Sequence, residues 1–196
     1  MNKKQFFDHG RKVLFPNGYI QSQVDNINVI IDEFRLYAGM DYRHLAYVLA
    51  TVHHETGGTM APIREIGRGA GKDYGKKLKY GNGPGKRVAY TTPNHIFYGR
   101  GYPQLTWYEN YEMATKNNNR GWDFLNNPDL MLSPGPSAWV LIYGMKYGMF
   151  TGYQLSDCIN DAKTDFYHAR KIVNGLEAAT KIGALAGEFY NGLILI

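Results

Sequence analysis

The chain has 196 residues, 44% of them hydrophobic and 20% charged, a composition that indicates one folded domain and excludes a disordered chain. Its formal net charge of +5 favours an anionic partner, such as nucleic acid, a membrane surface or a bacterial wall, without choosing among them. The one cysteine, Cys158, excludes an intrachain disulfide and is expected to be a small buried apolar residue rather than a nucleophile.

The N-terminal segment, MNKKQFFDHGRKVLF, lacks the apolar run and cleavage site of a secretory signal. The longest apolar stretches are shorter than the roughly 20 residues that span a bilayer. We therefore expect a protein of the cytoplasm of the producing cell, with no signal peptide and no stable membrane insertion.

Helical periodicity dominates the rest of the chain. The segment SQVDNINVIIDEFRLYAG predicts a helix that begins with a capping box of Ser22 and Asp25 and ends at Gly39. Four of its apolar residues share one face: Val24, Ile27, Ile31 and Phe34. The next helix, DYRHLAYVLATVHHE, is expected to begin after Asp41 as N-cap.

Three further segments have apolar residues at helical spacing, and strand signals are scarce. They are SAWVLIYGMKYGMF, DAKTDFYHARKIVN and LEAATKIGALAGEFYNGL. No internal repeat is evident. The pattern predicts a mainly α-helical fold.

Residues 64–87, REIGRGAGKDYGKKLKYGNGPGKR, differ from the rest because they are rich in glycine and lysine and nearly free of aliphatic residues. The segment is predicted to be a long exposed loop or flap. The segment contains eight basic residues and only two acidic residues, Glu65 and Asp73. The composition fits both a solvated run of charges and a flap that contacts an anion. The glycine spacing matches no phosphate-binding loop.

Residues 47–65, YVLATVHHETGGTMAPIRE, start on the second of these helices and introduce a carboxylate in its apolar stripe. At about 100° per residue, Glu55 lies on the face formed by Leu45, Val48 and Val52. Apolar neighbours disfavour the charged form of a carboxyl group, which suits a general acid. The alternative, which periodicity alone favours, is a helix-terminal glutamate that reaches water or pairs with a basic residue.

A second carboxylate, Glu65, follows ten residues later, beyond the chain reversal predicted at Gly57 and Gly58. Beside Arg64 its surroundings are expected to be wetter and more cationic, which would keep it ionised. One protonated and one charged carboxyl group is the arrangement that glycoside hydrolysis requires. The alternative for Glu65 is an acidic residue in a surface loop.

A metal site is not predicted. The zinc-protease motif His-Glu-x-x-His needs a second histidine at the position of Gly58, and the adjacent His53 and His54 cannot share one helix face as ligands. No metal or other cofactor is expected.

Residues 97–111, FYGRGYPQLTWYENY, combine two turn-forming glycines with polar side chains among aromatic rings. The polar residues are Gln104, Thr106 and Asn110. Amides and hydroxyls beside aromatic rings suit the recognition of sugar hydroxyl and N-acetyl groups. A glycine-rich turn followed by a helix explains the glycines but not this concentration of side chains.

The motif HHETGG, followed by FYGRGYPQLTWYENY and KIVNG, resembles the family 19 glycoside hydrolases: chitinases and, more closely, the phage and bacterial cell-wall lysins of that family. The resemblance covers nearly the whole chain. It implies a lysozyme-like, mainly α-helical fold with two lobes, a central substrate cleft and little β-structure. It further implies a single catalytic domain over residues 1–196, without a separate wall-binding domain.

The resemblance implies that Glu55 is the general acid, Glu65 the general base and Thr106 a residue that holds the attacking water. In the implied inverting mechanism the two carboxyl groups lie about 6.5–9.5 Å apart on opposite faces of the sugar. Six residues are implied to contact the substrate: His54, Tyr98, Gln104, Asn110, Asn174 and Lys181. Pro103 departs from the family's usual aliphatic residue, and Lys181 stands where chitinases have an arginine, which keeps the charge but loses the bidentate fork.

The expected substrate is the β-1,4 glycan strand of bacterial peptidoglycan, cleaved by a monomeric endolysin that reaches the wall on lysis. A chitinase acting on β-1,4-linked N-acetylglucosamine polymers is the alternative enzyme. A non-catalytic wall-binding module is the alternative from another class. Nucleic-acid binding is not expected, because no recognised module accompanies the positive charge.

Overall fold

The computed structural model describes residues 1–37, 39, 41–83 and 85–195, and these are mainly α-helical. The α-helices are α1 Lys3–Val13, α2 Gln21–Tyr37, α3 Tyr42–Glu55, α4 Tyr108–Asn117, α5 Pro134–Tyr147, α6 Leu155–Cys158 and α7 Ala179–Leu193. Short 3-10 helices cover Asp73–Gly75, Pro128–Leu132 and His168–Ile172. The strands are β1 Ile63–Arg64, β2 Leu78–Tyr80, β3 Arg87–Ala89 and β4 Arg100–Gly101.

The chain divides into two compact units. The first unit combines Met1–Ala61 with Ala138–Ile196, and the second unit is Pro62–Ser137. The first is built around α3, which packs on α7 and α2. Every residue of α3 from Leu45 to Val52 is buried, as expected for a core helix that is apolar on nearly all sides.

The two predicted N-terminal starts differ in outcome. Asp41 caps α3 as predicted, because its carboxylate accepts the Arg43 backbone N–H at 2.9 Å. Ser22 does not cap α2, since that helix already begins at Gln21. Asp25 instead accepts a hydrogen bond from the Gln21 side chain at 2.8 Å. The predicted end of α2 at Gly39 is preceded by Ala38, which lies outside the described residues.

The helix predicted over DAKTDFYHARKIVN is wrong, because this segment contains only the 3-10 helix His168–Ile172. The Asn160 side chain accepts the backbone N–H groups of Ala162 and Lys163 and holds the chain in a turn. Asp165 in turn accepts the backbone N–H of His168 at 3.0 Å. These local side-chain bonds offer the backbone an alternative to the helix. The other predictions hold better: α5 and α7 form, and Cys158 is buried at 5% exposure.

The second unit carries the small amount of β-structure. Strand β1 pairs antiparallel with β4, and β2 pairs antiparallel with β3. The glycine- and lysine-rich segment is therefore not only a loop as predicted, since it contains β2 and the first residue of β3. Glu109 on α4 anchors the β2–β3 hairpin by accepting the Tyr80 backbone N–H and both bonds from the Arg87 guanidinium, the latter at 2.9 Å.

None of the helices in the described ranges is long and apolar enough to cross a membrane.

Candidate active site

Glu55 is the last residue of α3, at the end of the predicted apolar stripe. Leu45, Val48 and Val52 are each at most 1% exposed, which confirms the stripe. The Glu55 side chain itself is 19% exposed. Helix periodicity therefore identified correctly that this carboxylate is largely removed from water.

The surroundings of Glu55 nevertheless include a cation that the sequence analysis does not predict. Arg170 Nη1 donates to Glu55 Oε1 at 2.7 Å, and the arginine side chain is only 5% exposed. Arg170 Nε also donates to the carbonyl oxygen of Glu177 at 3.2 Å. The open alternative of pairing with a basic residue is thus what the structure shows, and a purely apolar setting for Glu55 is wrong.

The chain after Glu55 reverses as predicted. Gly57 and Gly58 have φ values of +60° and +81°, a region that side chains with a Cβ rarely adopt. Thr56 stabilises the turn, because its hydroxyl donates to the Val52 carbonyl at 2.7 Å and accepts the Met60 N–H at 3.0 Å. This turn fixes where the helix stops and so fixes the backbone position of Glu55.

Three further predicted residues lie in the same unit as Glu55. Burial lowers the pKa of His54 from its usual value, although the adjacent Glu55 charge acts in the opposite direction. Lys181 on α7 is exposed, and its positive charge contributes to lowering the pKa of His54. Asn174 is exposed, and its side-chain oxygen accepts the Gly175 N–H at 2.9 Å. Their predicted substrate contacts stay predictions.

Glu65 follows β1 and is held by two neutral donors. Tyr74 Oη donates to Glu65 Oε1 at 2.7 Å, and the Gly99 backbone N–H donates to Oε2 at 2.9 Å. The Glu65 N–H also donates to the Gly99 carbonyl at 2.8 Å. The predicted cationic neighbour is not among its partners, because Arg64 Nη2 bonds Asp129 at 2.7 Å instead.

Tyr74 stays a hydrogen-bond donor at neutral pH. Burial, together with the hydrogen bond to Glu65 and the charge of that carboxylate, raises the pKa of Tyr74 to about 12. The sequence analysis does not select Tyr74, because it lies in the glycine-rich segment nine residues from Glu65 and no local pattern marks the pair.

Glu65 and Gln104 approach Gly99 closely, so a side chain at this position would displace them. A Cβ at position 99 would lie 2.9 Å from Gln104 Oε1 and 3.3 Å from Glu65 Oε2. Both distances are shorter than an unstrained contact. The glycine of the GRG motif thus makes room for the carboxylate that its own N–H binds.

The polar residues of the second motif have different local roles. Gln104 Nε2 donates to the carbonyl oxygens of Ile63 and Gly101 at 3.1 and 3.0 Å, so both amide hydrogens are used within the fold. Asn110 Nδ2 donates to the Thr106 carbonyl at 2.9 Å. The Thr106 hydroxyl has no hydrogen-bond partner among the described residues.

Tyr98 is a buried packing residue at 8% exposure. The Arg100 guanidinium stacks 3.6 Å from the centre of its ring, and its carbonyl accepts the Tyr111 hydroxyl at 3.0 Å. Because the cation covers one face of the ring, that face is not available to stack on a sugar.

The predicted residues divide between the two compact units. Glu55, His54 and Lys181 belong to the first unit with Arg170, whereas Glu65 belongs to the second. Tyr98, Gln104, Thr106 and Asn110 share that second unit. Among the residues that the structure describes, no group of three or more His, Cys, Asp or Glu side chains could hold a metal ion.

The secondary structure belongs to the mainly α-helical, lysozyme-like class with little β-structure, as predicted. The structure matches the crystal structure of chitinase C from Streptomyces griseus HUT6037 with a TM-score of 0.64. The match covers 98% of this chain and 76% of that chain, at 19% sequence identity. This likeness confirms a chitinase-like fold. No protein-family model matches the sequence, and no curated protein matches it significantly.

Proposed function

We propose that the protein is a glycoside hydrolase that cleaves β-1,4-linked glycans by inversion, with Glu55 as general acid and Glu65 as general base. The observation that carries the proposal is the pair of fixed carboxylates, each held at an oxygen atom by a specific donor in a chitinase-like fold. Glycoside hydrolysis needs two carboxyl groups in different surroundings. These two differ in that Arg170 positions one oxygen of Glu55 and leaves the other for the proton, whereas both oxygens of Glu65 accept hydrogen bonds from neutral donors.

Glu55 is suited to donate a proton from one defined oxygen. Arg170 bonds Oε1, whereas Oε2 has no hydrogen-bond partner in the described residues. A carboxylic acid needs one oxygen for the proton and keeps the other as an acceptor. We therefore assign the transferred proton to Oε2, with Arg170 fixing the plane of the carboxyl group through Oε1.

Glu65 is suited to accept a proton from water. Tyr74 and Gly99 each occupy one lone pair of its two oxygens, and each carboxylate oxygen has a second lone pair. The Thr106 hydroxyl, which lacks a partner within the described residues, is assigned to orient the attacking water. No metal or cofactor is required by this chemistry.

Within glycans, we propose peptidoglycan as the substrate and an endolysin-type role for the enzyme. The net charge of +5 supports an anionic polymer, because wall peptides carry carboxylates whereas chitin is neutral. Chitin is the second candidate, and the chitinase named in the structural match supports it.

Product analysis tests both levels of the proposal. The purified protein is incubated with sacculi and, separately, with N-acetylglucosamine hexamers, and products are followed by mass spectrometry and by proton NMR of the new reducing ends. We expect fragments from sacculi with the α-anomer formed first, since inversion of a β-linkage gives α. Initial β-anomer would overturn the inverting mechanism. Faster cleavage of the hexamer would favour the chitinase, and no product from either polymer would favour a binding module.

A further inference from the structure

A small pocket in the second unit has a cationic lining. Its volume is about 190 Å³, and Glu65, Tyr74 and Gly99 are not among the residues that line it. The charged and polar side chains that line it are Arg64, Arg68, Arg100, His95, Asn127 and Asp129. Three arginines and one aspartate leave an excess of two positive charges in the lining.

The pairing of β1 with β4 brings two of these arginines together. Arg64 and Arg100 are direct partners in the antiparallel register, so their side chains project from the same face. Like charges directly opposite one another repel. Asp129 offsets this repulsion, because one of its carboxylate oxygens accepts a hydrogen bond from Arg64 Nη2 at 2.7 Å and the other accepts one from Arg100 Nε at 2.8 Å.

That arrangement uses the one carboxylate in the lining and leaves donors unused. The Arg68 side chain is exposed and has no hydrogen-bond or ion-pair partner among the described residues, whereas its backbone N–H donates to the Glu65 carbonyl at 3.2 Å. Arg64 Nε is buried and has no partner either. His95, on the same pocket, is also exposed. A pocket with free donors and excess positive charge attracts an anion, and guanidinium groups match a carboxylate particularly well.

We infer that this pocket binds a carboxylate of the peptide attached to the glycan strand, with Arg68 as its principal contact. The inference rests on the proposed function and specifies its substrate as a peptide-bearing, anionic glycan. Water occupies about 30 Å³ per molecule in the liquid, so the pocket has room for about six waters or one amino-acid-sized end group. A run of sugar rings requires more space than this, which leaves the glycan itself to a different surface.

Direct binding tests the pocket without any hydrolysis. N-acetyl-D-alanyl-D-alanine, its C-terminal amide and inorganic phosphate are titrated at low salt into the wild-type protein, R68Q and K72Q, with NMR detection. Lys72 is an exposed cation of the same segment outside the pocket lining and is the matched control. We expect the free acid to bind about tenfold more tightly than the amide, and R68Q to remove about that factor, as loss of one charge-assisted bond predicts. K72Q is expected to change the affinity by less than about twofold.

Three results of this titration would overturn the inference. Equal affinity for acid and amide would exclude carboxylate recognition. If R68Q and K72Q weakened binding of the peptide acid equally, the binding would depend on the overall positive charge of the segment and not on the pocket. Tighter binding of phosphate than of the peptide acid would assign the pocket to phosphate.

Hydrolysis separates this inference from the proposed function. The ratio of kcat/KM for intact glycan strands to kcat/KM for strands stripped of peptides is measured in the wild type, R68Q and K72Q. We expect R68Q to lower this ratio about tenfold through KM, while an unchanged ratio would overturn a role in substrate recognition. Hydrolysis of neither strand, together with acid-specific binding, would support the pocket and overturn the enzyme assignment.

Discussion

The two candidate carboxylates are held by different kinds of structure. Glu55 is carried by the buried helix α3 and bonded by a cation 115 residues away in sequence. Glu65 follows a two-residue strand and is bonded by the hydroxyl of Tyr74 and the N–H of Gly99. One carboxylate thus depends on a core helix and a charge pair, and the other on neutral hydrogen bonds among short segments.

This difference predicts different responses to substitution. A buried charge that loses its partner carries a large desolvation cost, whereas losing one neutral donor costs much less. Changes around Glu55 should therefore affect both activity and stability. Changes around Glu65 should mainly affect the geometry of the carboxylate and so the rate.

The largest effect is expected for Glu55→Gln. The amide cannot donate a proton as an acid does, so kcat should fall by about 10²–10⁴-fold. The side-chain oxygen of glutamine can still accept the bond from Arg170, so the fold should be retained. Wall lysis and circular dichroism check the two statements, and full activity in this variant would remove the general-acid assignment.

A smaller but still large loss is expected for Glu65→Gln. Without a base the attacking water is less nucleophilic, and we expect about 10²-fold lower kcat. The glutamine retains one acceptor oxygen for Tyr74 or Gly99 but not two. Single-turnover rates on the same substrate check this prediction, and normal lysis would mean that the base lies elsewhere in the chain.

Replacing Arg170 tests how much the ion pair with Glu55 contributes to kcat and how much it contributes to stability. Arg170→Gln removes the cation beside Glu55 and should lower kcat about tenfold while costing about 2 kcal/mol of unfolding free energy, less than for a fully buried pair because Glu55 is 19% exposed. Arg170→Lys keeps the charge and should recover part of both losses. Lys171→Gln, on the neighbouring residue, is the matched control and should leave both quantities nearly unchanged.

How much of each region the sequence predicts follows from the same comparison. The α3 stripe, its Asp41 cap and the break at Gly57 and Gly58 all depend on residues within a few positions of one another, and all three predictions are confirmed. Arg170 was not predicted, because pairing over 115 residues leaves no periodic signal. Arg170 also lies in the segment DAKTDFYHARKIVN, for which the helix prediction was wrong.

The surroundings of Glu65 were less predictable for a related reason. Arg64 is adjacent to Glu65 in sequence, yet alternate strand residues point to opposite faces and Arg64 turns to Asp129. Tyr74 lies in a segment whose composition indicates an exposed loop, although it contains β2 and the first residue of β3, which Glu109 anchors. Composition reports the solvation of such a segment but not the few contacts that fix it.

Tyr74→Phe sharpens the comparison at Glu65. The ring is retained and one hydrogen bond to a carboxylate is lost, so we expect a kcat decrease of about threefold to tenfold. Unfolding free energy should change by less than about 1 kcal/mol, because the hydroxyl is only partly buried. Tyr80→Phe, on an exposed tyrosine of the same hairpin segment, is the control. An equal loss in both variants would show that Tyr74 does not position Glu65.

The smallest expected effect is on the pH dependence of stability and concerns His53, which lies on α3 two residues before Glu55. Burial lowers the pKa of His53 below 6.5, its usual value. The unfolded chain therefore binds more protons than the folded chain as the pH falls below about 6.5, and stability decreases there. His53→Asn should remove this contribution, so its melting temperature should fall less between pH 7 and pH 5 than that of the wild type.

Because His53 is partly buried, the difference between the two proteins should amount to a few degrees in Tm at this chain length. His95→Asn is the control, because His95 is exposed. If the wild type and His53→Asn lost stability equally on acidification, the dependence would come from other groups, among which the adjacent His54 also has a pKa lowered by burial.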